Sequence, residues 1–183
     1  MSSILKVSTL QDPTNSNTAL SIDSSGRVDM NASYVFDQWY LNANHTTDGD
    51  SDITAWSQVA GDFSGTGKVS GMSHSSGIFT FPQTGLYKVG FQFSTRSDAS
   101  DNMSGNISVT TNNSTYNDVL SIASGDSDTV NGGAYGSIFV NVTDVSNVKV
   151  KFRATTMDSA SYVIGLSSIV VTNVMFERVA PAQ

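Results

Sequence analysis

The alternation of apolar and polar side chains near the middle of the chain constrains the fold more than any other feature. In the segment 77–96, GIFTFPQTGLYKVGFQFSTR, large apolar residues recur at every second position, as Tyr87, Val89, Phe91 and Phe93. Because successive side chains of a strand leave opposite sides of the pleat, this period of two predicts an antiparallel strand with one buried face. Pro82 and Gly85 favour a turn just before it. The segment is therefore predicted to form a hairpin of two strands.

The rest of the sequence also favours strands over helices. Charged residues make up only 14% of the chain, and Ser, Thr, Asn, Asp and Gly, which favour turns, take their place. No segment shows a clear helical period, whereas residues 148–155 alternate like the central strand, with Val148, Val150, Phe152 and Ala154 on one face. We count about eight to ten strands after residue 33, which predicts an all-β sandwich or jelly roll.

The chain divides into two parts of different character. Residues 1–33 have short apolar pieces separated by turn-forming clusters, and residues 34–183 carry dense strand signals. The first part has too little apolar surface to offset the entropy of ordering it. It is either a disordered tail or an arm that orders against another chain, and we predict the second. The residues expected to anchor this arm are Leu5, Val7, Leu10, Leu20 and Ile22.

Two strands are predicted to be apolar on both faces. Residues 34–41 place aromatic or aliphatic side chains on each side, and residues 168–179 near the end of the chain do the same. One face of such a strand packs in the protein's own core, and the other meets a second sheet or a second subunit. The predicted core and subunit contacts are Phe36, Trp39, Tyr87, Phe91, Val174 and Phe176.

The composition argues against several classes of function. A net charge of −7 disfavours nucleic-acid binding, which depends on lysine and arginine, and no apolar run is long enough to span a membrane. The two histidines, His45 and His74, lie in polar loops outside any catalytic motif, and are interpreted as surface residues. We therefore predict that the protein is not an enzyme.

Asp48, Asp50 and Asp52 raise the one ion-binding hypothesis. Carboxylates at alternate positions resemble a calcium loop, but the glycine of an EF-hand is missing and Val59 stands where its last ligand would be. The three residues are weak candidates for calcium, and a solvated loop is the alternative. No other cofactor is predicted.

Three of the nine basic residues share one strand face. Lys149, Lys151 and Arg153 alternate with the apolar residues of 148–155. They form either a solvated outer face, whose charges deter edge-to-edge pairing, or a contact with an acidic partner or neighbouring subunit.

Two segments of the body resemble a known family. Phe79, Pro82, Gly85 and Tyr87 fit an F-x-x-P-x-x-G-x-Y strand pair, and GSIFVNVTDVSNVKVKFRA follows as a strand, a turn and an alternating strand. These features are similar to the globular heads of the C1q/tumour-necrosis-factor-like jelly rolls. The resemblance implies a homotrimer whose protomers bury aromatic and aliphatic faces around a three-fold axis.

The N-terminal segment resembles a different group. Residues 2–28, SSILKVSTLQDPTNSNTALSIDSSGRV, are similar to the opening of many bacteriophage virion proteins, particularly fibres and decoration proteins. The two resemblances imply a structural protein on the virion surface. We predict an arm at 1–33 that anchors a jelly-roll trimerisation domain at 34–183 to the major capsid protein or another virion protein, as a capsid decoration, or cement, protein. The alternative is a tail fibre or spike that binds a host receptor or glycan.

Overall fold

A computed structural model describes residues 7–11, 14, 18–22, 24–26, 28–29, 34–59, 68–69, 71–97, 101–124 and 130–183. In chain order, their strands are β1 (Thr9–Gln11), β2 (Thr18–Ile22), β3 (Val28–Asp29), β4 (Phe36–Leu41), β5 (Gly49–Asp52), β6 (Trp56–Gln58), β7 (Lys68–Val69), β8 (Ser73–Ser75), β9 (Ile78–Thr80), β10 (Gly85–Ser97), β11 (Ser104–Thr110), β12 (Asn117–Ala123), β13 (Val130–Val142), β14 (Lys149–Met157), β15 (Tyr162–Val163) and β16 (Asn173–Ala180). The all-β prediction is confirmed. The expected strand count was too low, because several strands of two to four residues carry no visible alternation.

The strands form three antiparallel sheets. The first, in the N-terminal segment, has the order β1-β2-β3. The second has seven strands in the order β13-β10-β16-β4-β6, with β15 paired to β10 and β7 to β4. The third has six strands in the order β12-β11-β14-β9-β8, with β5 paired to β14. In the part of the chain described, no helix is long and apolar enough to cross a membrane.

The six- and seven-stranded sheets pack face to face over an aromatic core. Phe152 of β14 lies 5.0 Å from Phe91 of β10, between ring centroids, and Phe79 of β9 lies 5.1 Å from Phe176 of β16. All four side chains are fully buried. Aromatic pairs at these separations add to the stabilisation from area burial alone, so the contacts join the two sheets into one sandwich.

The predicted hairpin at 77–96 is wrong in one respect. The two strands form, and Tyr87, Val89, Phe91 and Phe93 are all buried as expected. However, β9 pairs with β14 and β8, whereas β10 pairs with β13, β15 and β16. The segment around Pro82 therefore carries the chain from one sheet to the other. Phe81, buried in this connection against the ring of Tyr87 at 4.6 Å, accounts for the crossing, since its side chain fills the space between the sheets.

The last strand is shorter than predicted. It begins at Asn173 rather than near residue 168, and residues 167–169 form a bend in which Ile169 is exposed. Thr172 is buried and its hydroxyl donates to the backbone oxygen of Ser94, which holds the chain out of the ladder until β16 starts. The apolar residues before Asn173 therefore do not extend the strand.

The N-terminal segment pairs with itself. In the described residues, β1 and β3 each pair only with β2. Val7 and Leu10 are exposed and Ile22 is half-buried, while Leu5 and the side chain of Leu20 lie outside the described part of the chain. The division at residues 33 and 34 stays a prediction, as does the anchoring role of these residues.

A glycine in β11 sets the distance between the sheets, which gives a test of the packing. A Cβ at Gly105 would lie 2.5 Å from the ring of Phe93 across the core, whereas a Cβ at Gly133 would meet only ordinary contacts of 3.6 Å and beyond. We expect Gly105→Ala to lower the free energy of unfolding by about 1–3 kcal/mol, measured by chemical denaturation. Gly133→Ala is the matched control. Equal effects of the two substitutions would contradict this packing.

Candidate functional site

The outer face of the seven-stranded sheet carries an unusual set of large apolar side chains. We call Phe36, Tyr135, Phe139 and Met175 the apolar outer face. Phe139 is 65% exposed, Tyr135 50% and Phe36 39%, while Met175 is half-buried. Exposed apolar patches of this kind on a folded domain mark interaction sites, because isolated proteins rarely leave several such residues together in water.

Strand register brings these residues together. Met175 lies directly opposite Gly90 of β10, and the Tyr135 hydroxyl oxygen would lie 2.8 Å from a Cβ placed on Gly90. The tyrosine side chain therefore covers the glycine, beside a shallow cavity of about 40 Å³ that Phe36 and Met175 also line. Gly90 thus leaves room for the aromatic ring to pack over the strand.

Charges border the apolar outer face. Lys88 and Glu177 occupy opposed positions of β10 and β16, with Phe139 opposite Lys88 on one side and Phe36 opposite Glu177 on the other. One row across the sheet therefore runs aromatic, basic, acidic, aromatic. Such a row suits a protein contact in which complementary charges fix the register and apolar side chains provide the buried area.

A larger apolar groove opens beside this face, between strands β12 and β13. It has a volume of about 510 Å³ and is lined mainly by aliphatic and aromatic side chains from both sheets, including Val109, Val119, Ile138, Phe139 and Val148. The pairing of β11 with β12 shifts between Ile107 and Ser108, which makes Val119 the extra residue of a β-bulge. The bulge places Val119, 51% exposed, at the wall of the groove.

The outer face of the six-stranded sheet is charged and internally paired. Lys151 Nζ lies 2.8 Å from Asp52 Oδ2 and 4.7 Å from the centroid of the Tyr116 ring. Arg153 binds both Asp52, at 3.1 Å from Nε to Oδ1, and Asp118, at 3.2 Å from Nη1 to Oδ2. These basic residues were predicted to form either a solvated face or a contact with an acidic partner or neighbouring subunit. For Lys151 and Arg153, the acidic partners lie within the same chain.

Asp118 is the most highly coordinated acid of this network. The Ser108 hydroxyl donates to its Oδ1, and Asn106 Nδ2 donates to Oδ2 at 3.0 Å. Burial acts to raise the pKa of Asp118, but these two hydrogen bonds and the charges of Arg153 and Lys151 outweigh it and hold the pKa below its ordinary value.

The three calcium candidates do not converge on one point. Asp52 binds Lys151 and Arg153, Asp50 Oδ1 accepts from the backbone N–H of Thr156 at 3.0 Å, and Asp48 is exposed. Within the described ranges, no group of three or more His, Cys, Asp or Glu side chains is arranged to bind a metal ion. Asp50 and Asp52 lie in β5, where their carboxylates bind groups of β14, and calcium binding stays a prediction.

The interpretation of the histidines as surface residues was wrong. His45 is only 9% exposed, and its Nε2 lies 2.8 Å from Ser51 Oγ, while burial lowers its pKa despite the nearby charge of Asp52. His74 lies in β8 against Phe79 at 4.7 Å, with its Nε2 accepting from the backbone N–H of Gly77. Both rings therefore act as packed, hydrogen-bonded parts of the sandwich.

A buried acid was missed altogether by the sequence analysis. Asp37 is fully buried in β4, and its carboxylate accepts from Trp39 Nε1 at 2.9 Å, from Gln58 Nε2 and from the backbone N–H of Met72 at 2.7 Å. Buried carboxylates need such partners to offset the loss of water. Asp37 ties β4 to β6 and to the segment before β8. Its position among aromatic residues gave no signal of this role in the sequence.

The residues predicted as core and subunit contacts separate into two groups. Tyr87, Phe91, Val174 and Phe176 are fully buried in the core of the single chain, and Trp39 is half-buried against it. Phe36 is exposed on the opposite side of the sheet. Met175 lies on the second apolar face predicted for 168–179, whereas the sequence analysis missed Phe139 as a surface candidate. In β13, Val140 and Val142 are buried, so the period of two places Phe139 on the outer side.

Comparison with known proteins identifies the class of fold. No protein-family model matches the sequence, and no curated protein does either. The structure, in contrast, has the arrangement of the tumour-necrosis-factor-like jelly rolls, so the predicted C1q/TNF-like fold is confirmed.

Two solved structures illustrate the similarity. The structure of murine APRIL at pH 8.5 matches with a TM-score of 0.56 and 10% identity, over 80% of this chain and 99% of that one. The structure of Eiger TNF from S. frugiperda matches with a TM-score of 0.57 and 13% identity, over 82% of this chain and 95% of that one. Identities this low establish the fold alone.

The lowered pKa of Asp118 predicts a defined response to acid. Because the fold favours the ionised form, the network stabilises the protein fully above the ordinary pKa of 3.8 and loses this contribution as the pH falls towards the lower folded value. We expect Asp118→Asn to reduce stability at pH 7 but to lessen the further loss between pH 4 and pH 2, in denaturant titrations at each pH.

Asp48→Asn provides the control for this experiment, since Asp48 is exposed. It should retain the acid sensitivity of the unaltered protein. If Asp118→Asn retained that sensitivity as well, Asp118 would not be the group responsible.

Proposed function

We propose that the protein is a structural protein of the phage virion surface, a homotrimeric capsid decoration protein anchored through its N-terminal arm. The observation that supports the trimer is the apolar outer face, where Phe36, Tyr135, Phe139 and Met175 lie on the side of the sheet that faces away from the protein's own core. Burying these side chains between protomers would remove a cluster of large exposed apolar residues from water. Lys88 and Glu177 lie within this face and would set the register of the contact.

The virion assignment rests on the arm. Residues 2–28 resemble the start of phage virion proteins, and the described part of this segment has exposed Val7 and Leu10 in or beside an edge strand. A trimer presents three such arms together. Once the first has bound, the local concentration of the other two is high, and the combined affinity exceeds that of a single arm. Binding of this kind suits a protein that links neighbouring capsid subunits and needs no catalytic site.

The trimer is tested by placing a charge on the apolar outer face. Tyr135→Glu should weaken self-association by roughly thirtyfold or more, since a central interface residue contributes about 2 kcal/mol or more. Sedimentation equilibrium measures the effect. The matched control is Leu166→Glu, because Leu166 is an exposed apolar residue of the loop before β16 and lies outside this face. A protein that is monomeric before any substitution, at micromolar concentration, would contradict the trimer.

The anchoring role is tested by altering the arm. Deleting residues 2–28, or introducing Val7→Asp with Leu10→Asp, should leave the trimer folded but abolish its binding to capsids that lack it. The particles should then resist heat and osmotic shock less well. Ser24→Asp, at an exposed position of the same segment, is the control and should bind normally.

The same proteins separate the decoration role from the tail-fibre alternative. Capsid binding by the arm-deleted protein would overturn the anchoring role. Binding of the purified trimer to host cells, with inhibition of infection, would favour the fibre.

A further inference from the structure

We infer that the groove between β12 and β13 is the acceptor for the N-terminal arm of a second copy of this chain. This inference rests on the proposed anchoring role of the arm and specifies that the arm holds the protein on the particle by joining it to neighbouring copies. The occupant is the extended strand β1, with the side chain of Leu10 in the 510 Å³ groove.

The first argument is that the two strands beside the groove each lie at the end of a sheet. Strand β13 is the end of the seven-stranded sheet and β12 is the end of the six-stranded sheet, and in the described residues each pairs on one side only. The 13 residues of β13, VNGGAYGSIFVNV, include no charged residue and no proline. Proteins normally protect a free edge with lysine, proline or a short strand. This long, unprotected edge therefore suits the addition of a further strand.

The second argument is the shape and chemistry of the groove beside that edge. Its walls include Val109, Val119 and Ile138, so it is apolar, and its volume lies within the range of specific binding pockets. A strand added along β13 would place alternate side chains towards this space, because side chains alternate across a strand. The backbone edge would provide hydrogen bonds, and the groove would select an apolar residue at the position of the added strand that faces it.

The third argument is that the arm has the matching properties. Strand β1 lies at the edge of its own small sheet, and residues 7–11, VSTLQ, carry no charge. Val7 is 45% exposed and Leu10 59%. Among the described residues, the arm thus has an uncharged strand that lies at the end of its sheet, and it has unburied aliphatic side chains, of which Leu10 lies in β1 itself. These two features complement the edge of β13 and the apolar groove beside it.

The groove also touches the apolar outer face. Phe139 belongs to both, because it lies on the outer side of β13 and lines the groove. Arm binding and trimer formation would therefore bury adjoining surfaces. An arm that reaches another copy would connect trimers to one another, so the arms would form a network over the particle.

The test uses the absence of cysteine from the chain, so that introduced cysteines are the only reactive thiols. One preparation carries Leu10→Cys and a second, distinguished by a mass tag, carries Val119→Cys. The two are mixed, allowed to exchange, and treated with a short bismaleimide. We expect cross-links between the thiol introduced in the arm of one chain and the thiol introduced in the groove of another, identified by peptide mass spectrometry. Replacing the second preparation with Leu166→Cys gives the control, which should show a loss of at least about tenfold in cross-linked product.

A second measurement does not depend on cross-linking. Trypsin has two potential cleavage sites in residues 1–33, at Lys6 and Arg27. Val119→Glu should increase the rate of cleavage there by about tenfold, because a carboxylate in the groove would expel the arm, and cleavage follows the population of the open state. Leu166→Glu should leave the rate unchanged. Equal cleavage of the two variants, or the absence of cross-links between the arm thiol and the groove thiol, overturns the inference.

Failure of this inference is distinguishable from failure of the proposed function. If the arm binds a capsid protein directly, the arm deletion will abolish capsid binding, whereas Val119→Glu will bind capsids normally and no cross-links will form between purified copies. If the arm binds the groove but the protein has no virion role, the cross-links will form and neither variant will affect binding to capsids.

Discussion

The contact of Phe152 with the aromatic rings around it is the interaction on which the rest of the structure depends. Phe152 lies 5.0 Å from Phe91, 5.6 Å from Phe79 and 5.7 Å from Trp56, measured between ring centroids. These residues come from β14, β10, β9 and the start of β6, so one cluster joins both sheets of the sandwich. Because the inner positions are filled by aromatic rings, the outer positions of the same strands are free to differ between the two sheets.

The outer faces of the two sheets differ in whether their side chains find partners within the same chain. On the six-stranded sheet, Lys151 and Arg153 are balanced by Asp52 and Asp118 of the same chain, so this face has little need of an external ionic partner. On the seven-stranded sheet, large aromatic side chains such as Phe139 stay exposed to water. The asymmetry makes the apolar outer face the stronger candidate for a contact surface, whatever the partner.

The sequence predicted the fold where the period of two was unbroken. Val150 and Phe152 were correctly assigned to the core, because a strand of alternating bulk and charge has one plausible inner face. Which sheet each strand belongs to was harder to predict from the sequence. The alternation around Pro82 is the same whether the turn joins neighbouring strands or crosses between sheets, and only the long-range pairing of β9 with β14 distinguishes the two. The apolar outer face was harder still to predict. Tyr135 packs over Gly90 of the neighbouring strand, and no local sequence pattern reveals this contact.

The distribution of charge would give the proposed assembly its selectivity. The chain has a net charge of −7, yet strand β13 and residues 7–11 carry none. Like-charged copies repel one another wherever their acidic surfaces approach. In the proposed assembly, association is therefore least opposed where surfaces without net charge meet. Strand β13 and the lining of its groove carry no charge, and in the adjoining apolar outer face the charges of Lys88 and Glu177 offset each other. A free edge that would be an aggregation hazard in a neutral protein is tolerated in this acidic one, because repulsion elsewhere limits the orientations in which two copies can pair.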